Sequence, residues 1–202
     1  YKSLEISTCM APLPRSLDKK DQKQLVVEKS KTFREVKFTP KNKEEKLKEL
    51  VEEIKASECD LKDVATNTVF SDGHNDSKVM LIGEAPGADE DLIGKPFVGQ
   101  AGKLLDKMLE SINLSRKKNF YITNLVFWRP PGNRNPNKQE ISTCLPLTKK
   151  HIRIIRPKML ILLGNVASQA ILSSKEGISV LRKKENYYLD GDLNLKIPVK
   201  TI

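Results

Sequence analysis

The stretch "VMLIGEAPGADEDLIGKPFVGQAG", residues 79–102, indicates the fold class. Its four leading apolar residues are too few for a helix and end at a glycine, so they predict a short buried strand. The loop that follows is rich in Gly and Pro, as phosphate-binding loops are. This loop, however, holds four carboxylates, which would oppose a bound phosphate: Glu84, Asp89, Glu90 and Asp91. Neither GxGxxG nor GxxxxGK followed by Ser or Thr occurs in it, so the pattern disfavours a nucleotide-binding protein.

Strands and helices alternate along the rest of the chain. Apolar runs predict two further buried strands, at 119–126 and 158–164, and the Asp190-Gly191 turn predicts a closing hairpin within 186–202. Helical spacing of apolar residues predicts four helices, at 43–58, 102–112, 141–157 and 165–174. This order predicts the α/β class, as a three-layer α/β/α sandwich with a mostly parallel central sheet.

Composition bears on the class of partner, the compartment and the domain organisation of the protein. The 202 residues include 36 Lys and Arg against 26 Asp and Glu, a formal net charge of +10. This excess fits a polyanionic partner such as nucleic acid, and it equally fits a solvated lysine-rich surface. Three scattered cysteines, no membrane-length apolar run and no signal-peptide pattern predict a cytoplasmic protein without a membrane partner. Residues 1–41 lack a periodic pattern, so we expect a flexible extension before one domain over 42–202.

Candidate functional residues lie in the loops that follow the predicted strands, where α/β sheets bind their ligands. Asn124 lies in an otherwise apolar run, and its amide both donates and accepts, which suits either the edge of a base or a neighbouring loop. In "RPPGNR", Arg129 and Arg134 are suited to phosphate contact. Phe97 in the first loop fits either a stacking platform or a core position.

The loop carboxylates have several possible tasks. They are able to position a water molecule, stabilise a developing cation or bind a metal. A metal site would require further ligands such as histidine. His74 lies in a polar turn, "SDGHNDS", and His151 lies in a helix dense with Lys and Arg, so we expect both to be solvated rather than ligands.

Three motifs in order resemble the family 4 uracil-DNA glycosylases: "VMLIGEAPGADEDLIGKPFVGQAGKLLDKML" (79–109), "YITNLVFWRPPGNRNP" (121–136) and "RPKMLILLG" (156–164). The resemblance covers roughly residues 54–202. It implies an enzyme that hydrolyses the N-glycosidic bond of a uracil flipped out of DNA, which starts base-excision repair. It further implies a monomeric bacterial enzyme whose partner is uracil-containing DNA. The alternative is a truncated, non-catalytic nucleic-acid-binding remnant of that family.

The resemblance also assigns site residues. Phe97 is expected to stack on uracil and Asn124 to bond its edge, with Ala85 and Gly87 in the water-activating loop beside the base. Because Ala85 stands where another branch of the superfamily has a catalytic Asp, we expect Glu84 to position the water, with Asp89 second. Three loop residues are expected to contact DNA: Arg129, Asn133 and Arg134. An acidic loop beside the sugar suits this chemistry, since glycosidic cleavage builds positive charge on the sugar.

Two departures from the family pattern carry expectations of their own. Family 4 members often hold a 4Fe–4S cluster on four Cys, but only Cys59 and Cys144 match, while Ala56 and Trp128 occupy the other positions. We therefore expect no cofactor, with Trp128 filling the space. The family places a His-Pro motif just beyond "IPVKTI", so we expect a C-terminally incomplete domain. The missing leaving-group donor would cost ~3–4 kcal/mol of barrier.

Overall fold

The computed structural model describes residues 40–202, so the predicted extension over 1–41 lies almost wholly outside the described part. Six α-helices are found there: α1 (Pro40–Ala56), α2 (Ala88–Ile93), α3 (Gln100–Glu110), α4 (Lys138–Ile155), α5 (Asn165–Leu172) and α6 (Ile178–Leu181). Six strands accompany them: β1 (Ser71–Gly73), β2 (Val79–Gly83), β3 (Phe120–Asn124), β4 (Met159–Leu162), β5 (Asn186–Asp190) and β6 (Leu195–Thr201). Within residues 40–202, no helix has the length and apolarity needed to cross a membrane.

The strands form one sheet in the order β1-β3-β2-β4-β6-β5. The four central strands run parallel, while the edge strands β1 and β5 pair antiparallel with their neighbours. The predicted mostly parallel sheet is therefore confirmed. Its register places Gly83 beside Asn124 and Ile82 beside Leu162. The carboxyl ends of β2, β3 and β4 thus meet at one edge, where their loops come together.

Helices cover both faces of the sheet. Successive strand residues point to opposite sides, so neighbouring residues of β2 pack against different helices. On one face Met80 and Ile82 belong to the large core cluster, which also contains residues of α1, α4 and α5, among them Leu50, Ile155 and Ile171. On the other face Leu81 packs with Leu109 of α3. The α/β/α layering expected from the sequence is confirmed.

The expectation that His151 is solvated is wrong. Its side chain is fully buried, its ring stacks on Phe70 with centroids 4.5 Å apart, and its Nε2 lies 2.7 Å from the Tyr121 hydroxyl. Burial lowers the pKa of His151 to about 3, so the ring is neutral. Although α4 is rich in Lys and Arg, His151 falls on its inward stripe, three residues before Ile154 and four after Leu147. His74 is exposed, as expected.

Two boundaries differ from the sequence prediction in ways that shape the site. Strand β3 ends at Asn124, and the apolar residues that follow it leave the sheet: Leu125 and Val126 donate their N–H groups to the carbonyls of Gly83 and Glu84, at 2.8 and 3.0 Å. The polar segment at 71–73, expected as a turn, forms edge strand β1 because it pairs with β3.

Asp91 holds the first loop to the segment before the sheet. This carboxylate is 4% exposed and accepts the backbone N–H groups of Thr66 and Asn67, at 2.9 Å each to Oδ1. The Asn67 amide donates in return to the Asp91 carbonyl at 2.7 Å. One of the four loop carboxylates therefore has a structural task.

We expect Asp91→Ala to lower the free energy of unfolding by about 1–3 kcal/mol, because two backbone donors lose their acceptor in a mostly buried place. Urea unfolding followed by circular dichroism measures this change. Asp89→Ala is the matched control, since Asp89 is exposed and should shift stability by no more than about 0.5 kcal/mol. Equal losses in the two variants would contradict the assignment.

Candidate active site

The candidate site lies where β2 and β3 end side by side. Asn124 is 1% exposed, and its Oδ1 is buried without a hydrogen-bond partner among the described residues. A Cβ atom added to Gly83 would lie 2.5 Å from that oxygen and 2.4 Å from Cζ of Phe97. The structure therefore brings the two predicted base-binding side chains together, and the absence of a side chain at position 83 is what allows it.

Phe97 has an unusual backbone. Its φ of 56° lies in the left-handed region, which a bulky residue adopts only when its surroundings hold it there. Its carbonyl fits closely against α3, since a Cβ on Gly102 would lie 1.9 Å from that oxygen. The ring is half-buried against the smaller core cluster. Part of the ring thus packs in the core while its edge faces Gly83, and its stacking on a base stays a prediction.

Glu90 ties together the two ends of the first loop. Its Oε1 accepts the N–H groups of Val98 and Gly99, at 2.9 and 2.8 Å, and its Oε2 accepts the N–H of Gly87 at 3.1 Å. The Gly87 end precedes α2, and the Val98-Gly99 end directly follows Phe97. Sequence reasoning assigned no task to Glu90. The available signal was its place as third residue of a helix, where a Glu commonly reaches back to the residue before that helix.

Glu84 differs from the other loop carboxylates. It directly follows Gly83, it is half-buried, and no donor among the described residues contacts its carboxylate. Burial raises the pKa of Glu84 above the ordinary range of a glutamate. Asp89 is exposed, and its Oδ2 lies 2.9 Å from where a Gly99 Cβ would stand. A partly desolvated carboxylate without a protein partner is suited to holding a water molecule.

Two further residues of the same loop have packing roles. Ala85 is half-buried and packs against the large core cluster. The Gly87 N–H donates to Glu90, and the Gly87 carbonyl accepts from the Asp91 N–H at 3.0 Å. The contact of Ala85 and Gly87 with the base stays a prediction.

The "RPPGNR" loop holds its two arginines differently. Arg134 donates from two nitrogens to the two carboxylate oxygens of Glu140, at 3.0 and 2.6 Å. Glu140 is 4% exposed, and the Arg134 hydrogen bonds lower its pKa. Arg129 donates only from Nε, to Asn133 Oδ1 at 2.7 Å, so its terminal nitrogens have no partner among the described residues. Arg134 therefore anchors the loop to α4, and the predicted contacts of Arg129, Asn133 and Arg134 with DNA stay predictions.

The residues at the expected cluster positions do not fit a 4Fe–4S cluster. Cys59 and Cys144 are buried, reduced and hydrogen-bonded to each other, and burial raises the pKa of Cys144 to about 12. Trp128 is 1% exposed, and its Nε1 donates to Thr68 Oγ1 at 3.1 Å. No group of three or more His, Cys, Asp or Glu side chains within residues 40–202 is arranged to hold a metal.

Comparisons with known proteins agree with this geometry. The family model "Uracil DNA glycosylase superfamily" matches residues 70–196. A type-4 uracil-DNA glycosylase of Archaeoglobus fulgidus is 42% identical over 147 residues, which cover 71% of this chain and 73% of that protein. One of Sulfurisphaera tokodaii is 43% identical over 64% of this chain and 58% of its own length. One of Thermotoga maritima is 36% identical over 70% and 74%.

The family model covers the residues that form the candidate site at the carboxyl ends of the strands. The matched region contains the first loop, the buried Asn124 and the "RPPGNR" segment. The chain therefore belongs to the uracil-DNA glycosylase superfamily.

Proposed function

We propose that this protein is a uracil-DNA glycosylase, a hydrolase that removes uracil from DNA by cleaving its N-glycosidic bond. The observation that carries the proposal is the buried Oδ1 of Asn124, which has no partner among the described residues and lies beside the Phe97 ring. A buried polar atom without a partner in the protein marks a place for a ligand. The type-4 enzymes among the relatives support uracil as that ligand.

Base recognition follows from the chemistry of an amide. Uracil presents an N3–H donor next to the O4 acceptor, and the Asn124 side chain offers the complementary acceptor and donor. Cytosine carries an acceptor and an amino donor at these two places, so it would face the amide with like groups. Phe97 supplies an aromatic surface for stacking once the base has left the helix.

The reaction assigns a task to Glu84. Water attacks the sugar C1′, the bond from C1′ to the uracil nitrogen breaks, and its electron pair leaves with the base. Glu84 holds the water and takes its proton, and its negative charge favours the cationic sugar. Asp89 is the second candidate for this task. The amide donor of Asn124 stabilises the negative charge that the departing uracil spreads onto O4.

DNA contact is assigned to the "RPPGNR" loop. Arg129 reaches phosphate with its terminal nitrogens, while Asn133 orients it through the bond to Nε. Arg134 contributes mainly by holding the loop to α4. The net charge of +10 attracts DNA beyond these contacts. The monomeric state, the cytoplasmic location and the division at residue 41 stay predictions.

Asn124→Asp should lower uracil excision by about 10²–10³-fold, because the carboxylate cannot donate to O4 and repels the departing anion. Release of uracil from a single-stranded oligonucleotide, followed by cleavage at the resulting abasic site, measures the rate. Asn194→Asp makes the same chemical change in an exposed turn and should keep full activity. Undiminished excision by Asn124→Asp would remove the assignment.

Glu84→Gln should reduce kcat by about 10²–10⁴-fold, because the amide cannot take the proton of water. In the unmodified protein the active form of Glu84 is the carboxylate. Since burial raises the pKa of Glu84, activity should fall as pH drops through a value above the usual glutamate range. A pH–rate profile measures this limb. If Asp89→Asn is the more damaging variant, the roles of the two carboxylates are reversed.

The protein purified without oxygen should contain no iron and show no absorbance band near about 400 nm, because two thiols cannot replace four cluster ligands. Metal analysis by mass spectrometry checks the same point. Stoichiometric iron that remains bound through gel filtration would show that the thiols of Cys59 and Cys144 do hold a metal centre.

A further inference from the structure

Arg116 lies outside the motifs described above, between α3 and β3, and its side chain is only 14% exposed. Its Nε donates to Asp106 at 2.8 Å. Its Nη1 donates to Asp72 at 3.2 Å and to the Pro96 carbonyl at 2.7 Å, and its Nη2 donates to the Phe97 carbonyl. Four of the five N–H groups of the guanidinium are therefore engaged within the protein.

The two carbonyls that Arg116 contacts belong to the segment with the unusual backbone. Phe97 has its φ at 56°, and its carbonyl is also confined by Gly102. A bulky residue in this region has a strained backbone, so the surroundings must hold it there. A planar guanidinium suits this task, because two of its nitrogens reach neighbouring oxygens at once.

Two carboxylates fix the guanidinium in turn. Asp106 lies on α3, and Asp72 lies on edge strand β1. Arg116 and these two carboxylates, the Arg116 clamp, thus connect α3, β1 and the segment between α3 and β3 to residues 96–97. Because most of its N–H donors already have acceptors within the protein, Arg116 is unsuited to binding a DNA phosphate. It still adds to the positive charge of the chain.

We propose that Arg116 is a positioning residue that holds Phe97 in the left-handed conformation, with the ring beside Gly83 and Asn124. The task of Phe97 in stacking on the base rests on the proposed function. The conformational task of Arg116 does not, because it concerns the free protein.

A double-mutant cycle tests the link between the two residues. Arg116→Gln should lower kcat/KM for uracil excision by about 10–100-fold, because a ring displaced by about 1 Å no longer meets the base. In a Phe97→Ala background, Arg116→Gln should cause little further loss, since the ring it positions is gone. Equal fold-losses in both backgrounds would overturn the proposal. Asp106→Asn is the control, because it keeps both carbonyl bonds and should cost less activity than Arg116→Gln.

Fluorine NMR of protein labelled with para-fluorophenylalanine supplies a readout without substrate. Phe97→Leu identifies the Phe97 signal among those of the six phenylalanines. Arg116→Gln, or the milder Arg116→Lys if the first variant does not fold, should shift or broaden that signal most. An unchanged Phe97 signal would overturn the proposal. If the unmodified protein does not excise uracil, the proposed function fails, while this NMR result still decides the task of Arg116.

Discussion

The parallel pairing that sets Gly83 beside Asn124 is the constraint on which the site depends. It places the end of one buried strand next to the amide at the end of another. The Phe97 ring and the Asn124 amide both lie close to Gly83, so any side chain at position 83 would displace the ring or the amide. Sheet register therefore fixes Gly83 and Asn124 relative to each other, and the loop conformation of Phe97 brings its ring to them.

The acidity of the first loop has a structural explanation as well as a chemical one. Asp91 and Glu90 accept backbone N–H groups that the folded loop would otherwise leave without partners. Of the carboxylates that remain, Asp89 is exposed and Glu84 is half-buried with no protein donor. The expectation of an acidic loop beside a cationic sugar therefore now concerns only Glu84 and Asp89. Asp91 and Glu90 thus shape the loop, and Glu84 stays the carboxylate that we propose for the reaction.

The sequence predicted those parts of the structure that depend on local pattern. Apolar runs located β2, β3 and β4, and the motifs identified Asn124 and Phe97. It did not predict what depends on distant partners. His151 is buried because Phe70 and Tyr121 surround it, and β1 exists only because β3 pairs with it. The clamp around Arg116 joins residues up to 44 positions apart, which no local periodicity records.

The "RPPGNR" loop is held in place at both of its ends. Trp128, at an expected ligand position, is buried edge-on against Phe127 and bonds Thr68. At the far end of the loop the Arg134–Glu140 ion pair joins it to the first turn of α4. A buried carboxylate requires such a partner, since an unpaired charge there would be strongly destabilising. Packing at one end and a charge pair at the other therefore position the loop, and Arg129 between them has terminal nitrogens without a partner among the described residues.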